Sequence, residues 1–242
     1  MKKFLMVIIF FVSVGVSYVI WDNSPDYLKQ GGPLLVLGLT LLFLVFTFTI
    51  ERAFVLWRAG GKGGVSNFMR SIKSAVQEDD IERAIDACRK RGGSLGNVVG
   101  AGLERYNMES SKTNNPKELL EETKHAIEEA TALEAPILER NLSALSTIAS
   151  VATMVGLLGT TIGMIRSFHA MSHAGAPDAA ALAIGISEAL VNTALGLTTA
   201  IIGIILYNYF ATRVDNYESA IEETSFEVLD LLRHKQGLES EA

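Results

Sequence analysis

Four apolar runs without charge, or nearly so, alternate with polar stretches along the chain. Phe4–Trp21 holds 18 residues without a charge, Gly31–Ile50 holds 20 and Asn141–Ile165 holds 25. The fourth run, Ala179–Tyr209, is broken only by Glu188. A helix needs about 20 apolar residues to cross a hydrocarbon core about 30 Å thick. The last three runs therefore predict membrane spans, and the first is marginal in length. Between the second and third runs the pattern changes to short amphipathic helices, over about 65–77, 79–91 and 95–107, joined by QEDD and RGGS. NMESSKTNN, residues 107–115, predicts a polar loop. Pro116 then suits the first position of a helix, with Asn115 as its cap. That helix is predicted to run on into the third apolar run, bent or locally broken at Pro136.

Beyond Tyr209 a seam of Val214, Tyr217, Ile221, Thr224, Val228 and Leu231 continues at spacings of three and four. Its flanks are charged, so it predicts a helix packed against other helices. The pattern divides the chain into an N-terminal anchor and short outer segment (1–30), a first core span (31–58) and a helical region (59–136). A second core span (137–168), a short loop (169–180), a third core span (181–211) and a C-terminal helix and tail (212–242) follow. The expected fold is all-α: an integral membrane protein with three core spans, an extra N-terminal span, and two long antiparallel helices extending into the cytoplasm.

Composition supports this class. Hydrophobic residues make up 49% of the 242, high for a soluble domain. The net charge of −6 gives no reason to expect nucleic acid. Lys2 and Lys3 precede the first run, while Arg52 and Arg58 follow the second. The positive-inside rule then places the N-terminus and the region after Trp57 in the cytoplasm. Residues 59–136 carry 11 basic and 13 acidic residues, so their side follows from span parity. A retained anchor is expected at the N-terminus rather than a cleaved signal peptide, because SYVIW offers no small-x-small site. The single cysteine, Cys88, excludes an intramolecular disulfide and reads as a small packed residue.

Candidate chemistry concentrates in the last span. On a helix Glu188, Asn192, Leu195 and Thr199 share one face. Gly185, Ala189, Thr193, Gly196, Ala200 and Gly203 form a neighbouring stripe of small residues that allows close helix approach. The third run answers with Gly156, Gly159 and Gly163, with Thr160 and Thr161 between the last two. A carboxylate at mid-bilayer costs about 2.5–3.5 kcal/mol on insertion scales, so Glu188 is expected to face a bundle interior or a wet cavity. A carboxyl group that can gain or lose a proton there suits proton transfer; a neutral acid bonded between helices is the bland alternative. Thr160, Thr161 and Thr193 could extend the polar path. RAGGKGG, residues 58–64, lacks the spacing and hydroxyl of a phosphate loop and predicts a turn. His169 and His173 lack an obvious third ligand, Asp178 being the nearest acid, so no metal is expected. Arg89-Lys90-Arg91 reads as a solvated helix end.

SEALVNTALGLTTAI with a following YN, and VGLLGTTIGMIRSF before it, resemble the last two spans of the MotA/TolQ/ExbB proton-channel family. The resemblance is nearest the ExbB/TolQ branch and covers about residues 30 to 235. It implies an ion-driven motor subunit of the bacterial inner membrane. It further implies a homopentamer around a dimer of a single-span ExbD/TolR-like partner, and a possible TonB-like protein beyond. By motif, Glu188 matches the acid of the family's SEAL-type motif, Thr193 the threonine five positions later, and Thr160 the threonine of GLxGT. Those positions line the family's ion route. Thr161, Asn192, Thr199, Gly159, Gly163 and Gly196 would support it. Thr153 and Ile202 replace prolines often found in the family, which predicts straighter helices. The expectation is an ExbB-like energiser of outer-membrane transport. A TolQ-like or motility motor and a non-conducting scaffold remain the alternatives. No enzyme activity and no cofactor are expected.

Overall fold

The computed structural model describes residues 2–25, 29, 31–113, 115–173 and 179–238, and not the side chains of 2–9, 170, 172 and 173. Its described residues are helices joined by turns: α1 (Lys2–Asp22), α2 (Gly32–Ala59), α3 (Val65–Gln77), α4 (Ile81–Arg91), α5 (Gly93–Ser110), α6 (Pro116–Glu139), α7 (Leu142–His173) and α8 (Ala179–Lys235). The all-α expectation holds. Helices α2, α7 and α8 are long and apolar enough to cross a membrane. The chain is therefore a multi-pass membrane protein. It divides into two compact units, one of 1–52 and 141–209, the other of 53–140 and 210–242.

In the first unit the direction of each helix can be read from its contacts. Along α8 from Gly185 to Gly203, the groups met on α7 run back from Ser167 to Ala149. The two helices are antiparallel. The groups met on α2 run forward, from Gly32 at Glu188 through Gly38 at Leu195 to Val45 at Gly203, so α2 and α8 are parallel. Leu41, Ala152 and Ala200, one from each helix, close the core between them. The α7–α8 contact is close because its residues are small. A Cβ on Gly196 would lie 2.6 Å from the Ala152 carbonyl oxygen and 2.7 Å from the Gly156 Cα. Only the absence of side chains lets the two backbones approach this far. Helix α1 buries Ser13 and Ser17, one turn apart, and the Ser17 hydroxyl donates to the Ser13 carbonyl.

The second unit is built differently. Ile72, Ala84, Val98, Val99, Leu103, Val228 and Leu232 are almost fully buried. Amphipathic helices supply them, and burying such side chains against water is what holds the unit together. Of the α8 seam, Val214, Ile221, Thr224 and Val228 are buried here. Cys88 is buried too, and desolvation pushes its thiol up to about 12, as expected of a packing residue.

Three local expectations change. The run 107–115 is not all loop: α5 continues to Ser110, supported by the Arg105–Glu109 pair one turn apart. The interruption expected at Pro136 falls at Arg140 and Asn141, with Pro136 inside α6. Arg140 takes an extended ψ of 135° and Asn141 a φ of 64°, a conformation that asparagine tolerates better than most residues. Arg91 is not solvated. It turns in, donates to the Gly63 carbonyl at 3.2 Å and lies 4.9 Å from the Phe68 ring centre. The glycine-rich segment at 60–64 forms a turn as expected, and the later Gly93 packs against its start: Gly93 has φ 70°, and a Cβ there would meet the Ala59 carbonyl oxygen at 2.3 Å. As expected, Asn115 caps α6 by accepting from the Lys117 N–H.

Candidate functional site among the apolar helices

Glu188 stands on the tenth residue of α8. Its carboxylate lies beside Gly32, the first residue of α2, where a Cβ would be 2.8 Å from Oε1. Gly32 has φ 65°, so glycine serves twice, allowing the turn into α2 and leaving room for the acid. The acid is thus level with one end of α2, not with the middle of the bundle. The start of a helix carries unpaired N–H groups and a partial positive charge, which favours a nearby carboxylate.

The residue that completes this arrangement is Arg166 on α7. Its Nη1 donates to Glu188 Oε1 at 2.5 Å. The pair is one-sided: the Glu188 side chain is 6% exposed and the Arg166 side chain 52%. Arg166 is not among the residues that the sequence pattern singles out. The sequence does carry a signal, since Arg166 is the first charge after the third apolar run and sits inside VGLLGTTIGMIRSF. What was missing was the register that brings it across from Glu188.

Asn192, one turn along from Glu188, is buried and donates to the Gly31 carbonyl at 2.9 Å. It lies against Gly159, where a Cβ would meet the Asn192 Cβ at 2.4 Å. Buried amides need such partners. Gly163 meets the Gly185 carbonyl and Ala189 in the same seam. Ser167 donates to the carbonyls of Gly163 and Leu182. Thr193 donates across the seam to the Gly156 carbonyl at 3.0 Å. Thr199 is buried and bonds its own helix at Leu195. Glu188, Asn192 and Thr199 are therefore enclosed as their shared face predicts, and Leu195 packs against Gly38 on α2.

The two remaining threonines are not gathered in. The hydroxyls of Thr160 and Thr161 both donate to the Leu157 carbonyl of their own helix, at 2.6 and 3.1 Å. Neither is bonded to Glu188, Asn192 or Thr193. The side chain of His173 and all of Asp178 lie outside the described residues. Among the described residues no group of three His, Cys, Asp or Glu side chains could hold a metal.

The site can therefore hold a carboxylate, enclosed by three helices and neutralised by an arginine that keeps contact with the outside. Proton uptake by Glu188 would compete with Arg166 for the same oxygen.

Comparison with known proteins places the chain in a family. The model of the MotA/TolQ/ExbB proton channel family matches residues 93–223, more than half of the chain. The biopolymer transport protein ExbB of Pseudomonas putida is 28% identical over 216 residues, 87% of this chain and 64% of that protein. The ExbB of Salmonella typhimurium is 27% identical over 192 residues, 72% of this chain and 78% of that protein. The Tol-Pal system protein TolQ of Pseudomonas aeruginosa is 31% identical over 159 residues, 61% of this chain and 69% of that protein. The chain thus spans a little under two thirds of the Pseudomonas putida relative. With its motifs set on the two helices that enclose Glu188, the chain belongs to the MotA/TolQ/ExbB proton channel family.

Proposed function

We propose that the chain is an ExbB-like subunit of a motor in the bacterial inner membrane, driven by the proton-motive force, that energises transport across the outer membrane. Five copies would surround a dimer of an ExbD/TolR-like partner, each partner contributing one span, and a TonB-like protein would carry work across the periplasm. The N-terminus would lie in the cytoplasm, as would the second unit. The subunit acts by moving ions and partners, with no chemical step on a substrate. The observation that carries this reading is the enclosed carboxylate of Glu188, held between α2, α7 and α8 in a chain of this family. Burying a carboxylate among apolar helices is costly, and such groups mark ion routes. Glu188 would relay protons to an acid on the partner's span, with Thr193 and Thr160 along the route. Asn192, Thr199, Gly159, Gly163 and Gly196 would hold its walls, and Thr161 would add a hydroxyl.

A TolQ-like role in envelope maintenance is the second reading, because the TolQ relative is as similar as the ExbB relatives. Deleting the gene in its own host separates the two. The ExbB-like reading predicts loss of energy-dependent nutrient uptake with an intact envelope, restored by the wild-type gene and not by Glu188→Ala. Detergent sensitivity with normal uptake would point to the TolQ-like role. Full restoration by a normally assembled Glu188→Ala would leave Glu188 a structural acid.

A further inference from the structure

We propose that Arg166 is a tethered cation that closes the ion route at Glu188 in the resting subunit. The inference rests on the ion-route reading of Glu188 and adds to it the group that keeps the route shut. Arg166 holds Glu188 Oε1 at 2.5 Å, the acid is enclosed, and the arginine side chain is half-exposed. The carboxylate cannot leave its place between helices, whereas the arginine can swing out on a long side chain without vacating a packed core. An arginine cannot give up its proton. While it stays, it supplies the positive charge that a travelling proton would otherwise bring. Among the described residues the groups near Glu188 are few. Gly32 opens α2 beside it, Asn192 lies one turn along α8 and bonds the Gly31 carbonyl just before α2, and Arg166 comes from α7 with a charged side chain; His169 lies one turn further along α7. Release of Arg166, for example by an acid on a partner's span, would free the carboxylate to bind a proton. The bland alternative makes Arg166 an anchor for the end of α7, its contact with Glu188 incidental to conduction.

Resting proton leak separates these. The complex purified with its native partner is placed in liposomes, and proton entry under a potassium diffusion potential is followed with an enclosed pH dye. Arg166→Gln should raise the resting leak about tenfold or more, the change expected when a closed state loses one charge-assisted bond. Arg166→Lys should stay tight. The leak of Arg166→Gln should vanish when Glu188→Gln is added, because it runs through that carboxylate. A tight Arg166→Gln complex overturns the proposal, and so does a leak that persists in the double variant. Should Arg166→Gln fail to assemble, Arg166→His answers in one preparation. It should be tight below about pH 6, where imidazole is charged, and leaky near pH 8. An equal leak at both pH values overturns the gate. If the wild-type complex conducts no protons even when its partner is engaged, the ion-route reading fails instead, whatever Arg166 does.

Discussion

The two units of this chain solve the same packing problem with opposite materials. In the first unit, α7 and α8 meet through Gly156, Gly159, Gly163, Gly185, Gly196 and Gly203. Large side chains such as Met154, Leu190 and Ile201 stand on the surface. In the second unit the large side chains, Ile72, Val98, Val99 and Leu103, are inside. The difference follows from the solvent. Hydrocarbon is no worse a neighbour for leucine than another leucine is, so apolar helices in lipid associate by close fit and interhelical hydrogen bonds. Water supplies the drive in the other case. One consequence concerns function. The small-residue seam, where backbones come close, is where the first unit encloses Glu188.

The comparison predicts opposite sensitivities. Additions should harm the first unit most. Gly196→Leu would drive a side chain into the backbone of Ala152 and Gly156. Its cost should reach or pass the upper end of the roughly 1–3 kcal/mol typical of overpacking. Loss of monodisperse protein after detergent extraction would register it. Wild-type yield and melting would contradict the close register. Deletions should harm the second unit. Leu103→Ala should cost about 2–5 kcal/mol in thermal or denaturant melts of the full chain, while Leu103→Met should cost less than about 1.5 kcal/mol. Equal tolerance of both would mean that this core is not water-driven.

A smaller effect sharpens the account of the second unit. Arg91→Ala removes the cation over Phe68 and the donor to Gly63. A loss of about 1–2 kcal/mol is expected from those two contacts together, measured as a lower melting midpoint. No change would return Arg91 to the solvated role that its sequence suggests.

The smallest effect is at the surface of the second unit, where Lys235 pairs with Asp79. The hydrogen bond and charge of Lys235 hold the Asp79 carboxyl below the ordinary aspartate range. A depressed native value contributes stability above the unfolded aspartate value, near 3.9, and loses it as pH falls through the lower native value. Lys235→Met should therefore lower the melting midpoint slightly at pH 7. The difference should shrink with added salt and disappear in acid below the native aspartate value. A difference that grows in acid would contradict the pair.

Much of this was legible beforehand, and the rest has identifiable reasons. The spans followed from length and hydropathy, because lipid forces backbone groups into helices. The enclosure of Glu188, Asn192 and Thr199 followed from helical spacing alone. Arg166 did not, since spacing orders residues on one helix and says nothing of the register between two. The break at Arg140 and Asn141 lies four to five residues beyond Pro136, because a proline can remain in a helix when the ladder is relieved nearby. Arg91 was misread because three consecutive cations suggest a solvated end, whereas a neighbouring aromatic ring and a glycine carbonyl can draw one of them in. Thr160 and Thr161 bond the Leu157 carbonyl of their own helix, as threonine in an apolar helix readily does, and spacing alone does not say which hydroxyls cross to a neighbour.

The central claim is that an ion route passes by Glu188. The most direct test compares the wild-type complex with its Glu188→Gln variant, each purified with the native partner at equal stoichiometry and reconstituted in liposomes. Proton flux is measured under an imposed pH gradient with the partner engaged. Glutamine preserves shape and hydrogen bonding but cannot exchange a proton at neutral pH. The account predicts a fall in flux of about tenfold or more, equivalent to about 1.4 kcal/mol or more on the barrier. Equal flux from the two complexes would contradict it.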